Sequence, residues 1–181
     1  MDIGSIFTSK VAIGIYGFVG GLISHYFKTL LDERKNSRVE RLAADRALFG
    51  EYMEICPEDS PAVLLIIEHD FRGTFHRSSI KEFNRLDSYL YTQKKTFHEK
   101  KLDKQRLEFV GDFKRFFSKL NSLASSVNQN YLNCLPVSER DDFTEESKQT
   151  QLDIAELQEL SDELLVSYRQ FVAVMRHELR L

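Results

Sequence analysis

Helix breakers are scarce in this chain: three prolines and eight glycines in 181 residues, so long stretches run without a residue that would stop a helix. Cysteine is scarcer still. Cys56 and Cys134 show no CxxC spacing, which excludes a zinc ribbon and a disulfide framework and leaves them as ordinary reduced thiols. Outside the N-terminal apolar segment there is no GxxxxGK[ST] and no GxGxxG, so the glycine loops that cradle phosphates are missing. Neither HExxH nor a nucleophile elbow occurs, and no catalytic residue, metal or cofactor is expected. A net charge of −3 gives no general electrostatic reason to bind nucleic acid or anionic lipid, so direct nucleic-acid binding is not expected.

What is present is a helical chain with one apolar segment. Charged residues make up 29% and hydrophobic ones 42%, the balance of a folded protein with room for one core. Between Lys10 and Lys28 lie 17 residues without a formal charge, VAIGIYGFVGGLISHYF. As a helix they span roughly 25 Å against a hydrocarbon core about 30 Å thick, short but sufficient. The run leads into Ser24-His25-Tyr26-Phe27 and then charged residues, with no small-residue cleavage site, so an uncleaved anchor is expected rather than a signal peptide. Lys28, Arg34, Lys35, Arg38 and Arg41 follow it, and only Lys10 lies close before it. The positive-inside bias therefore places residues 28–181 in the cytoplasm of a single-pass inner-membrane protein, with residues 1–27 as the transmembrane segment.

Gly17 and Gly21 form a GxxxG pair, Gly14 falls on nearly the same face, and Ser24 extends the strip. Small-residue strips let two helices approach closely in lipid. A single span has no partner within its own chain, so the lipid bilayer and a homo-oligomer are the expected partners.

The remaining sequence reads as an all-α bundle. Residues 28–55 form one helix, continuing the membrane segment, which Cys56-Pro57 ends. Ser60-Pro61 is an N-cap followed by proline at the first helical position. Ser79 to Glu82 has capping-box spacing at the start of another helix. Leu102, Phe109, Phe113, Phe116, Phe117, Leu120, Val127 and Tyr131 recur at helical spacing, and a last helix runs from about Glu145 to Leu179. No strand pattern is evident.

Three groupings carry candidate chemistry. Glu68 to Arg77 packs His69, Asp70, Arg72 and His76 beside a glycine turn. Such groups suit proton transfer. They equally suit a polar loop in which Asp70 or Thr74 caps a helix, His69 lies against the bundle, and Phe71 and Phe75 anchor the turn; that structural reading is preferred. The second grouping is Arg169 with His177 on the last helix. Helical ribonucleases of the HEPN superfamily pair the two residue types as R-x4-6-H, but seven residues intervene here, and only three between Arg72 and His76, so capping or solvating the helix end is the expected role. Third, Lys94, Lys95, Lys100, Lys101, Lys104 and Arg106 form a basic run beside Phe97 and His98, read as a solvated face.

The stretch LLIIEHDFRGTF, Leu64 to Phe75, with the helices after it, resembles a module of small bacterial proteins that often carry an N-terminal membrane helix. One span followed by a HEPN-like helical domain is also similar to the small accessory membrane proteins encoded beside type VI-B RNA-targeting CRISPR effectors. That resemblance implies an oligomeric membrane pore in antiviral defence, functionally linked to such an effector and not an enzyme. A membrane-tethered HEPN-type ribonuclease and a passive scaffold for a cytosolic partner are the alternatives.

Overall fold

The computed structural model describes residues 28, 31–68, 70–92, 95–140 and 145–181. The chain divides into two compact units, Met1–Ala43 and Ala44–Leu181. In the first unit, residue 28 and residues 31–43 are helical and largely exposed, apolar Leu31 and Val39 included. The segment 11–27, with Gly14, Gly17, Gly21 and Ser24, lies outside the described residues. Among the described residues no helix is long and apolar enough to cross a membrane.

The second unit is mostly helical. Helix α1 covers 44–55 and α2 Pro61–Glu68; then come strand β1 (Thr74–His76), α3 (Arg77–Thr92), α4 (Lys100–Leu123), β2 (Ser125–Ser126), β3 (Tyr131–Asn133), a 3-10 turn at Val137–Glu139, and α5 (Lys148–Leu179). Pro57 follows the end of α1, and Ser60 caps α2 by accepting the Val63 N–H at 3.3 Å. The expected capping box at Ser79 and Glu82 is corrected. Both residues sit inside α3 and serve α2 instead: the Glu82 carboxylate accepts the Ala62 N–H at 2.9 Å, and the Ser79 hydroxyl donates to the Pro61 carbonyl at 3.0 Å. A carboxylate at a helix N-terminus satisfies an orphan donor and opposes the dipole, so α3 completes α2 from across the fold.

Helices α4 and α5 run antiparallel, since partners fall along α5 as they rise along α4. Lys101 meets Glu178, Phe109 meets Tyr168 and Phe171, Arg115 meets Glu163, and Lys119 meets Asp153. Their shared face is a phenylalanine core. Phe109 stacks on Phe171 with ring centroids 5.2 Å apart, Phe113 stacks on Phe117 at 5.4 Å, and Phe83 of α3 meets Phe116 edge-on at 5.6 Å. Each fully buried phenylalanine contributes about 1.5–3 kcal/mol through area alone, with ring geometry adding to it. The charged pairs lie outside this stripe.

Val127 and Tyr131 do not continue α4, which stops at Leu123. They belong to a hairpin in which β3 pairs antiparallel with both neighbours, in the order β1-β3-β2. The register sets Phe75 opposite Leu132, both buried, and His76 opposite Tyr131, both exposed. Strands of two or three residues are too short to display alternation, so the sequence pattern held no strand to read. Helix α5 starts at Lys148, three residues later than expected, because Ser147 rather than an earlier residue caps it, accepting the Thr150 N–H at 3.2 Å.

Candidate functional site

The sheet gathers the polar cluster foreseen around residue 70. Asp70 folds the chain back on itself: its Oδ1 accepts the Arg72 N–H at 3.0 Å and its carbonyl accepts the Gly73 N–H at 2.8 Å. This turn buries Phe71 and Phe75 and leaves Asp70, Arg72 and His76 exposed. Arg72 pairs with Glu146 at 3.0 Å. His76 Nδ1 accepts the Ser78 N–H at 3.2 Å and lies 2.8 Å from the Ser78 hydroxyl. Its ring meets Tyr131 edge-on at 5.4 Å. Arg72 and His76 share no hydrogen bond, and His69 lies outside the described residues.

Arg169 and His177 are both exposed on α5, separated by about 12 Å of helix rise, with His177 Nδ1 3.4 Å from Glu178. The chain itself does not bring them together.

Two arginines complete the sheet: Arg77, the last residue of the cluster expected at Glu68 to Arg77, and Arg140, which the sequence reading passed over. Arg77, the first residue of α3, donates from Nη2 to the Ser126 hydroxyl at 2.9 Å, while its Nε is buried with no hydrogen-bond partner. Arg140 donates to the Leu135 carbonyl at 3.1 Å, to the Ser126 carbonyl at 3.3 Å and to the Ser125 hydroxyl. Both guanidiniums thus end on Ser126 through neutral acceptors, and among the described residues no carboxylate forms an ion pair with either. The turn-forming run Asn128-Gln129-Asn130 was the available signal. Asn128 Oδ1 accepts the N–H groups of Asn130 and Tyr131 at 2.8 and 3.0 Å, closing the hairpin that carries Ser126 toward Arg77.

The basic run shows the opposite arrangement. Lys95 pairs with Glu51 at 2.7 Å, Lys104 with Glu108 at 3.6 Å, Arg106 with Asp103 at 2.7 Å, and Lys101 with Glu178. The Lys95 bond holds the half-buried Glu51 carboxyl below its ordinary value, and Lys101 does the same for Glu178. Within this region sequence reading also missed a buried carboxylate paired with an exposed histidine. Asp45, almost fully buried, accepts the His98 and Glu99 backbone N–H groups at 2.8 and 3.2 Å and His98 Nδ1 at 3.0 Å. It caps the start of α4, whose own N-cap Glu99 makes no side-chain bond.

The thiols of Cys56 and Cys134 are buried, and burial pushes each up to about 12, so neither forms a nucleophilic thiolate at neutral pH. Between α4 and α5 an open groove of about 570 Å³ is lined by Glu108, Asp112, Asp162 and Glu163, with Arg115 bridging Asp112 and Glu163 at 2.7 and 3.0 Å. Among the described residues no group of histidine, cysteine and carboxylate side chains is placed to hold a metal ion. Compared with family models, with curated proteins and with solved structures, the chain has no match.

Proposed function

We propose that this chain is a non-enzymatic, membrane-anchored protein that self-associates through residues 11–27 into an oligomer that forms or gates a pore, with the second unit as its cytoplasmic part. The observation that carries the reading is the uncharged 17-residue segment bearing Gly14, Gly17, Gly21 and Ser24 on one strip. Consistent with it, the described residues before Ala44 are helical, mostly polar and largely exposed. A role in antiviral defence beside a type VI-B effector rests on the similarity of plan to that accessory family.

The test is the size of the full-length protein in mild detergent, together with membrane potential in expressing cells during phage challenge. The reading expects cross-linkable oligomers that Gly17→Leu disrupts, and depolarisation that the same substitution abolishes. A monomer that never depolarises cells contradicts it.

A further inference from the structure

Residues 31–43 of the first unit are helical, and the two faces of that helix differ in kind. Turning about 100° per residue, it gathers apolar Leu31, Val39 and Leu42 with basic Arg34, Lys35, Arg38 and Arg41 inside an arc of about 160°. Glu33, Asn36, Ser37 and Glu40 make the opposite face, with Asp32 at its margin. A helix that is merely solvated gains from opposite charges four residues apart, whereas here Arg34 stands four residues before Arg38. Like charges at that spacing cost stability in water and gain it beside anions. The same face leaves its apolar side chains in the open: Leu31 is 62% and Val39 59% exposed. Basic residues flanking an apolar strip, with the acids turned away, suit a helix at the boundary between headgroups and acyl chains. There lysine and arginine lay their stems on apolar surface and lift their charges to the phosphates.

We propose that residues 31–43 lie along the cytoplasmic leaflet, with Leu31, Val39 and Leu42 at the acyl boundary and Arg34, Lys35, Arg38 and Arg41 on anionic lipid headgroups. This rests on the reading of residues 11–27 as the anchor. Continuity with the anchor selects the occupant: Leu31 comes four residues after Phe27, no more than about 15 Å along even an extended chain, so the span itself delivers this face to the headgroups. A nucleic-acid strand would engage the cations but leave the apolar strip uncovered. A second copy meeting it face to face would set the same cations against each other.

The experiment is electron paramagnetic resonance on the full-length protein reconstituted into nanodiscs of phosphatidylcholine, alone or mixed with phosphatidylglycerol. Reconstitution takes biosynthetic topology out of the comparison. A nitroxide is attached at one position at a time through Leu31→Cys, Val39→Cys, Leu42→Cys, Glu33→Cys or Glu40→Cys; Cys56 and Cys134 are buried and stay unlabelled. Accessibility to oxygen, which enters the bilayer, is compared with accessibility to a water-soluble nickel chelate. In mixed discs the three apolar positions are expected to sit about 10 Å deeper than the two glutamates, the thickness of a helix. Arg34→Gln combined with Lys35→Gln, Arg38→Gln and Arg41→Gln should lower the population of that state at least tenfold, since each cation near an anionic surface is worth on the order of fivefold. Discs of phosphatidylcholine alone should do the same to the wild type, while exposed Arg169→Gln changes nothing. Far-UV circular dichroism checks that each variant is folded. Depth that changes steadily from Leu31 to Leu42, with no difference between faces, overturns the proposal, because the helix then stands off the leaflet. A difference between faces that is equal with and without phosphatidylglycerol overturns it as well. So do apolar positions shielded from both reagents, or shielded only when single-stranded RNA is added, which assign the face to a second copy or to a strand. All of these leave the anchor standing, whereas a protein that does not enter the discs fails the anchor and this proposal with it.

Discussion

The α4–α5 pair and the three-stranded sheet belong to the same unit but are held by different forces. Between the helices the contacts are apolar and ring-on-ring, and the surface charges that flank them are matched: Lys119 with Asp153 and Glu156, Arg115 with Asp112 and Glu163. At the sheet Phe75 and Leu132 supply the buried side, while the edge is fastened by arginines bonded to hydroxyls and carbonyls. The first arrangement spends its interactions on stability. In the second, the two arginines end on neutral oxygens, and among the described residues no carboxylate pairs with either.

The sharpest way to break this contrast is to cut the core. Phe113 is fully buried between Phe83, Phe109 and Phe117, so Phe113→Ala should cost about 3–5 kcal/mol in urea unfolding, through lost transfer energy and the cavity left behind. A loss near 1 kcal/mol would mean the helix pair is not the centre of stability.

Next in size is acid. Bonds to Lys95, Thr150, Lys119 and Lys101 hold Glu51, Glu139, Asp153 and Glu178 respectively below their ordinary values of 4.5 for glutamate and 3.8 for aspartate. A carboxylate depressed in the folded state contributes stability that is present above its unfolded value and lost as pH falls through its folded one. The midpoint of thermal unfolding should therefore hold steady from pH 7 to pH 5 and decline below pH 4.5. A flat profile to pH 3 would show that these surface pairs do not couple to folding.

The smallest effect is expected at the sheet. Arg140→Gln removes hydrogen bonds to neutral oxygens and no ion pair among the described residues, so its cost in urea unfolding should stay under about 1 kcal/mol. A loss as large as that of Phe113→Ala would make Arg140 a structural fastener and erase the contrast between the two regions.

How far the sequence foretold these regions follows from the length of their signals. Helices α4 and α5 present buried residues over 24 and 32 positions, enough turns for the 3.6-residue period to stand clear of noise, and Pro57 and Ser60-Pro61 marked a boundary by known chemistry. The sheet has strands of three, two and three residues drawn from segments about 50 positions apart, and no local window contains both Phe75 and Leu132. Val127 and Tyr131 fitted the α4 period by coincidence of spacing. Asp70, Arg72 and His76 were legible as a polar cluster because they are adjacent in sequence, whereas Arg140 and Ser126 join it only through pairing across the fold. Asp45 and His98, 53 residues apart, are the same case. Ser79 and Glu82 show the converse: a local motif with correct spacing whose groups found better partners at the start of α2.

The account rests on residues 11–27 entering a bilayer, and alkaline carbonate extraction of membranes from expressing cells tests that most directly. The full-length chain should stay with the membrane pellet, and a chain lacking residues 1–27 should leave it while keeping its helical circular dichroism. A full-length protein released into the carbonate supernatant would contradict the anchor and, with it, the oligomer and the pore.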